Sequence, residues 1–423
     1  LPHWLVARDV PLERVHGSSR AEMIQVPVGV NGVISPWNAP IGCPLAVAAD
    51  ILAAGNPVII HPSELAPASA QMLAEAVASA FEPSVMAVVQ GGPDLTLEFA
   101  GQPWGHLTFS GNAHVGRQVA EIAARTLVPV TLTLGGKSPA LFAPDGVTPE
   151  LVQRFLSFRT LKGGQMCASP DHVLVPRHQL DLFLGLAEGI WRTAYPTHVG
   201  HPDAVGMVND QRYRRVLGYL DEARARGVAV VALNDDLPDP VRRQIPMTFV
   251  VDPPADLGCM TDEVLGPVVP IVLYDEFDEA IEWINAGPSP VAAYLATFDR
   301  SRVDQFVAQV RCGSVGINSF GLQTRHPALA FGGIGASGHG ARSGREGFLN
   351  YSHTKTVFHG SADSVLHLAL SMPLAELAGH VADRMLTDPA DPNEPNDPAG
   401  IHGPDMLPNR SFDEPIAHGQ GTN

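Results

Sequence analysis

Cysteine is scarce in this chain. The four present, Cys43, Cys167, Cys259 and Cys312, lack the paired spacings of a zinc site or a disulfide framework. That usage points to a reduced, intracellular and cytoplasmic enzyme. Long hydrophobic runs are missing too: the apolar stretches at 57–60 and 268–273 fall far short of the roughly 20 residues needed to cross a bilayer. The start shows no basic segment followed by an apolar one, so no signal peptide is expected. It begins with Leu rather than Met, which reads as a fragment, a processed chain or an unusual start. Positive charge is in deficit. With 27 Lys and Arg against 44 Asp and Glu, the formal charge of −17 argues against nucleic acid or an anionic membrane as partner. The 17 histidines show no ligand spacing such as His-Glu-x-x-His, so no catalytic metal is expected.

What is present suits a large buried core: 423 residues, 45% of them hydrophobic and 17% charged. Two domains are the natural division at roughly 100 to 200 residues each. Between 29 and 134, short apolar runs at 30–35, 57–60, 85–90, 106–110 and 129–134 alternate with Ala-rich helical stretches at 43–54, 67–80 and 113–125. Parallel neighbours cannot be joined by hairpins, so this alternation predicts an α/β, Rossmann-like nucleotide-binding domain over 28–134. A second α/β region, 135–330, carries predicted helices at 152–159, 180–195 and 210–226. A glycine-rich return occupies 331–360. In the remaining segment, 361–423, an amphipathic helix interrupted by Pro373 is expected up to Leu386, and the repeated Asp, Pro and Asn beyond Thr387 predict disorder.

One cysteine stands out. Gly164-Gln165-Met166-Cys167 follows the glycine turn Leu134-Gly135-Gly136-Lys137-Ser138-Pro139, and together they mark Cys167 as a candidate nucleophile. A thiol in that role needs a lowered pKa or a nearby base, a path for substrate, and donors aimed at the oxyanion it creates. An isolated cysteine is more often an inert small hydrophobe. Upstream, Ile34-Ser35-Pro36-Trp37-Asn38 closes a predicted strand, and ligands collect at strand ends of open parallel sheets. Asn38 is either an amide donor to an oxyanion, beside the Cys167 backbone N–H, or a turn asparagine. Ser110-Gly111-Asn112 with Gly116 lies between a strand and a helix, as a phosphate-cradling loop or an ordinary turn. It is not the fingerprint of three closely spaced glycines.

These stretches resemble the aldehyde dehydrogenase superfamily, most of all its coniferyl-aldehyde-dehydrogenase-type branch. The resemblance is carried by Pro36-Trp37-Asn38, Ala53-Ala54-Gly55-Asn56, Pro62-Ser63-Glu64, Phe109-Ser110-Gly111 with Gly116, residues 134–139 and 164–167, Glu263 with Gly266-Pro267, Phe331-Gly332-Gly333, Ser337-Gly338, and Gly344-Arg345-Glu346-Gly347-Phe348. It spans about 1–358. It implies a cofactor domain, an α/β catalytic domain and a small bridging and oligomerisation β element from residues 1–27 with 350–357. It further implies an aldehyde as substrate, NAD or NADP as cofactor, and a homodimer or homotetramer. Cys167 then matches the nucleophile and Asn38 the oxyanion donor. Ser35, Trp37, His61, Ser63, Glu64, Ser110, Gly111, Gly116 and Glu263 match the cofactor site, with Glu263 on the nicotinamide ribose unless it is a solvated loop acid.

Three departures from the family pattern bear on activity. Thr133 stands where the general base is usual, and a hydroxyl cannot take a proton from water at neutral pH as a carboxylate can. Hydrolysis of the thioester is therefore expected to be slow unless another group substitutes. His61 stands where a lysine is usual, and an imidazole holds an anion less strongly than an ammonium, unless His61 is only a strand-end residue. The chain also starts after the family's N-terminal helical segment. Leu265 and Lys162, at positions usual for phenylalanine and asparagine, are milder changes. The expectation is an aldehyde dehydrogenase homologue acting through a Cys167 thioester, with deacylation impaired or redirected to a thiol; the alternative is an inactive relative serving as a binding or assembly partner.

Overall fold

The computed structural model describes residues 4–12, 16–362, 364 and 372–386. The tail beyond Thr387 lies outside the described residues, as do 363 and 365–371 of the expected amphipathic segment. Pro373 immediately precedes the helix Leu374–Leu386, a placement that leaves its missing N–H without consequence for the helical ladder. The chain falls into two compact units, one of residues 1–8 with 23–357 and one of 9–22 with 358–423.

The larger unit holds two sheets. One is built from β3 (Asn31–Ile34), β4 (Val58–His61), β5 (Met86–Val88), β6 (His106–Ser110), β7 (Val130–Thr133) and β15 (Gly338–His339), in the order β15-β7-β6-β3-β4-β5. All neighbours are parallel except β15 on β7. The other is built from β8 (Pro139–Phe142), β9 (His172–Pro176), β10 (Ala229–Ala232), β11 (Thr248–Val251), β12 (Val268–Tyr274), β13 (Ala293–Ala296) and β14 (Val315–Ile317), in the order β10-β11-β12-β9-β8-β13-β14. Only β10 runs antiparallel. Strands such as β6, β8 and β9 are buried at every position, as parallel strands covered by helices on both faces must be.

Three more strands, β1 (Arg8–Val10), β2 (Arg20–Pro27) and β16 (Ser352–His359), belong to a small third sheet. In the larger unit, Gln25 Nε2 donates to Thr354 Oγ1 at 3.1 Å. In the smaller, His359 Nε2 lies 3.2 Å from Glu22 Oε1.

The chain's course through the first sheet matters for function. It steps outward from β3 to β4 and β5, then returns to the opposite side of β3 for β6 and β7. Such a reversal opens a crevice at the carboxyl ends of the central strands. The elements predicted between 29 and 226 sit within a residue or two of their expected bounds, with two informative differences. The helix Pro93–Ala100 was not expected, although Pro93 in its first turn followed by Asp94 is a helix-start signal. The helix expected at 152–159 runs Pro149–Thr160, because Thr148 accepts from Leu151 N at 3.4 Å and Pro149 is already set for the first turn.

Candidate active site

Register alone brings the candidate residues together. Ile34 at the end of β3 pairs with His61 of β4 and Phe109 of β6, and Ser110 pairs with Thr133 of β7. The turns that leave these strands therefore open side by side into a cavity of about 1670 Å3. Its wall includes Ser35, Trp37, Asn38, His61, Ser63, Glu64, Ser110, Gly111, Thr133, Cys167 and Glu263. Gly116 does not line it. A Cβ there would stand 2.5 Å from Leu134 Cδ2, so the residue lets the helix Ala113–Ala124 press against the end of β7. That packing role is independent of any contact with a cofactor.

His61 takes the strand-end place, one of its two readings. It is 1% exposed, its Nδ1 donates to the Val89 carbonyl at 3.0 Å, and its Nε2 pairs with Thr96 Oγ1 at 2.9 Å. Both ring nitrogens are spent on protein, so the ring closes a strand end and has none left for an anion. Ser110 and Gly111 do face the cavity, and Asn112 caps the following helix by accepting from Val115 N at 2.9 Å. That helix N-terminus is a site favourable to phosphate.

The Cys167 loop is held by groups far away in sequence. Arg159, 1% exposed, donates from Nη1 to Ser169 Oγ at 3.2 Å and from Nη2 to the Gly266 carbonyl and to Val268 O at 2.9 Å. Burial pulls its guanidinium down to about 10, so it stays cationic at neutral pH and bridges the two loops. Sequence reasoning missed Arg159, since a charged residue on a helix ordinarily reads as solvent-facing. Gly164 has φ 74, and a Cβ on it would lie 2.6 Å from the Gly266 oxygen. Gln165 is buried, donating to Lys162 O at 2.9 Å and Gly206 O at 3.1 Å and accepting from Val208 N at 3.0 Å. Asn38 Nδ2 donates to Gln165 O at 2.9 Å, and Lys162 Nζ donates to Asn38 O at 2.7 Å. Cys167 is partly exposed, opening on the cavity while protein crowds its other sides. Burial, with the charges of Glu263 and Cys43 behind it, pushes the thiol up to about 12.

The loop of Glu263 is clamped just as firmly. Lys137 Nζ pairs with Asp171 and donates to Cys259 O at 2.8 Å and Asp262 O at 2.9 Å. Asp171 accepts from Val264 N at 2.8 Å, and Arg215 Nη2 donates to Glu263 O at 3.2 Å and Val264 O at 2.9 Å. The side chain they present borders the cavity, yet its Oε1 is sealed from water and has no hydrogen-bond partner. A Cβ on Gly135 would come 2.6 Å from that oxygen. Burial, and secondarily Asp171, raises the Glu263 carboxyl to about 8. It is therefore a half-buried acid on the same cavity as the thiol, not a solvated loop acid.

Comparison with known proteins gives this geometry its setting. Residues 7–357 match the aldehyde dehydrogenase family. A probable coniferyl aldehyde dehydrogenase of Caulobacter vibrioides is 38% identical over 364 residues, 84% of this chain and 75% of the relative. A coniferyl aldehyde dehydrogenase of a Pseudomonas species is 36% identical, over 83% and 73%. A substrate-bound Staphylococcus aureus AldH superposes with TM-score 0.84 at 27% identity, over 90% of this chain and 82% of that one. An NADP-dependent enzyme of E. coli follows with TM-score 0.77 at 26% identity, over 84% and 74%. The Cys167 and Glu263 loops are bridged by Arg159 at the mouth of a parallel-sheet crevice, and the match across most of the chain's length establishes that this chain belongs to the aldehyde dehydrogenase family.

Proposed function

We propose that the chain oxidises an aldehyde through a covalent Cys167 thioester, with NAD or NADP as cofactor and with deacylation slowed or redirected by Thr133. The observation that carries this reading is the convergence of Cys167 and Asn38 on one cavity, tied through Gln165. The Cys167 sulfur adds to the aldehyde carbon to give a thiohemiacetal. Asn38 Nδ2 has two N–H donors and only one is spent on Gln165, so the other is free to meet the oxyanion with the Cys167 backbone N–H. The thioester that follows is cleaved by water or by an added thiol, which attacks without needing a carboxylate at position 133.

The residues present fit a dinucleotide. The cavity exceeds the roughly 300–1,000 Å3 of a single small-ligand pocket. Besides the unpartnered Glu263 Oε1, the buried Ser35 Oγ has no hydrogen-bond partner. Ser110 and Gly111 would hold the pyrophosphate at the helix N-terminus, Ser63 and Glu64 the adenosine end, and Glu263, with Ser35 and Trp37 nearby, the nicotinamide ribose. When bound, the nicotinamide supplies the hydride acceptor. Relatives named for coniferyl aldehyde make an aromatic aldehyde the first substrate to test. The same reading includes assembly as a homodimer or homotetramer, checked by light scattering.

A burst of reduced cofactor on mixing with aldehyde, accompanied by one acyl group on Cys167 in the mass spectrum, supports the proposal. Cys167 left unmodified by every aldehyde, with no burst, rejects it. A second reading, an inactive relative acting as a binding or assembly partner, is favoured by the hydroxyl at position 133 and the high pKa of the thiol. Thr133→Glu separates the two: a rise of about tenfold or more in aldehyde turnover sides with the enzyme, and no change sides with the partner.

A further inference from the structure

We infer that the aldehyde this chain oxidises carries a carboxylate, held by Arg325 and Lys162 on the wall of the Cys167 cavity; this rests on the covalent mechanism proposed above. The two cations come from distant segments. Arg325 follows the short turn Leu322–Thr324 beyond β14, and Lys162 lies just upstream of Cys167. Both line the cavity with Cys167. Arg325 Nη2 reaches Met166 Sδ at 3.9 Å, so its guanidinium stands at the residue next to Cys167. Lys162 holds a left-handed backbone, φ 54, which a residue with a side chain adopts at a cost. Its ammonium bonds to the Asn38 carbonyl at 2.7 Å, beside the amide assigned to the oxyanion.

Neither cation has an acidic partner among the described residues, although the chain's formal charge is −17. Arginines elsewhere are paired, Arg192 with Asp235, Arg226 with Asp256 and Arg302 with Asp145. In the cavity wall, Lys137 is paired with Asp171, while Glu263 lies near Arg212 and Asp50 near Arg342. Arg117 is unpaired as well, but it belongs to the helix Ala113–Ala124, at the end given to the pyrophosphate. Burial, and after it the charge of Arg325, holds the Lys162 ammonium below the usual lysine range. A carboxylate bound by both cations would offset that repulsion.

The donors are of the right kind. A guanidinium presents a planar fork that meets both oxygens of a carboxylate, and the ammonium keeps two N–H groups after the one spent on Asn38. A substrate joined to Cys167 at one end and to Arg325 at the other is fixed at two points. An aldehyde without the acid group is fixed only at the first.

Burst rates of the full chain with cofactor test this on two pairs of aldehydes: 4-carboxybenzaldehyde against 4-formylbenzamide, and 4-oxobutanoate against butanal. The expected result is that Arg325→Gln lowers the acid-to-neutral ratio of burst rates about 10- to 100-fold in at least one pair, the usual worth of a hydrogen bond to a charged group. Taking the ratio cancels the intrinsic reactivity of each aldehyde and any general loss of activity. Arg325→Lys should recover part of the ratio, and Lys162→Met should lower it. Arg325 is exposed, so its replacement leaves the core intact. A ratio unmoved by Arg325→Gln in both pairs overturns the inference. So does a comparable loss of cofactor affinity in that variant, which would place a cofactor phosphate on Arg325. No burst with any aldehyde removes the covalent mechanism instead, and the carboxylate site is then read from protection of Cys167 against iodoacetamide. Benzoate protecting about tenfold better than benzamide or more, with the difference lost in Arg325→Gln, supports the site; equal protection by the two overturns it.

Discussion

The side-chain amide of Asn38 donates a 2.9 Å hydrogen bond to the carbonyl of Gln165, two residues before Cys167. One bond thus connects the turn after β3 to the Cys167 loop and, in the covalent mechanism proposed above, orients the amide whose second N–H would meet the oxyanion. Asn38→Ala should lower the rate of Cys167 acylation by about 10²- to 10³-fold, the usual effect of losing one oxyanion donor. Stopped-flow measurement of the burst rate checks this. A change under threefold would assign Asn38 to the turn alone.

Thiol reactivity should report the electrostatics of the cavity. With the Cys167 thiol at about 12, alkylation by iodoacetamide in the absence of cofactor should rise about tenfold per pH unit from 7 to 10. Because the charge of Glu263 contributes to that elevation, Glu263→Gln should move the profile to lower pH. An unmoved profile would show that the two groups do not interact.

Gly164 tests the contact between the two loops. At φ 74, with a Cβ only 2.6 Å from Gly266 O, Gly164→Ala meets both backbone strain and a clash. Destabilisation of about 1–3 kcal/mol is expected, with a fall in acylation rate as the loop shifts. Urea unfolding alongside the ester burst gives both quantities, and a variant of unaltered stability and rate would refute the contact.

Two buried histidines should make the fold acid-sensitive. Burial holds His106 down to about 4 and His172 down to about 3, both well under the unfolded value of 6.5. Each depressed pKa contributes stability that is present above pH 6.5 and lost as pH falls toward the folded value. The slope should reach up to about 1.4 kcal/mol per pH unit for each group. Urea unfolding between pH 7 and 5 should show the decline, and His172→Leu should flatten it; equal slopes in both proteins would count against a neutral buried His172.

Much of this architecture was legible in the residues. Helices and short apolar runs alternating from 30 to 134 specify crossovers, because periodicity and turn residues act within a few positions of themselves. The motif around Cys167 and the hydroxyl of Thr133 could be read in the same way. Other features had no local signature. Gly116 looked like part of a phosphate loop, yet Leu134 packs where its side chain would be. His61 could be read as a ligand or as a strand-end residue, and only the fold shows Val89 and Thr96 taking both its nitrogens.

The order of residues thus determined the secondary elements and the family, and it singled out Cys167 as the candidate nucleophile. Tertiary structure decided the states of the groups that would react. The thiol's protonation depends on Glu263, 96 positions away in sequence, and the carboxyl of Glu263 on burial and on Asp171, Lys137 and Arg215. Desolvation and charge act through space, so their sum exists only once distant segments have packed around the same few atoms.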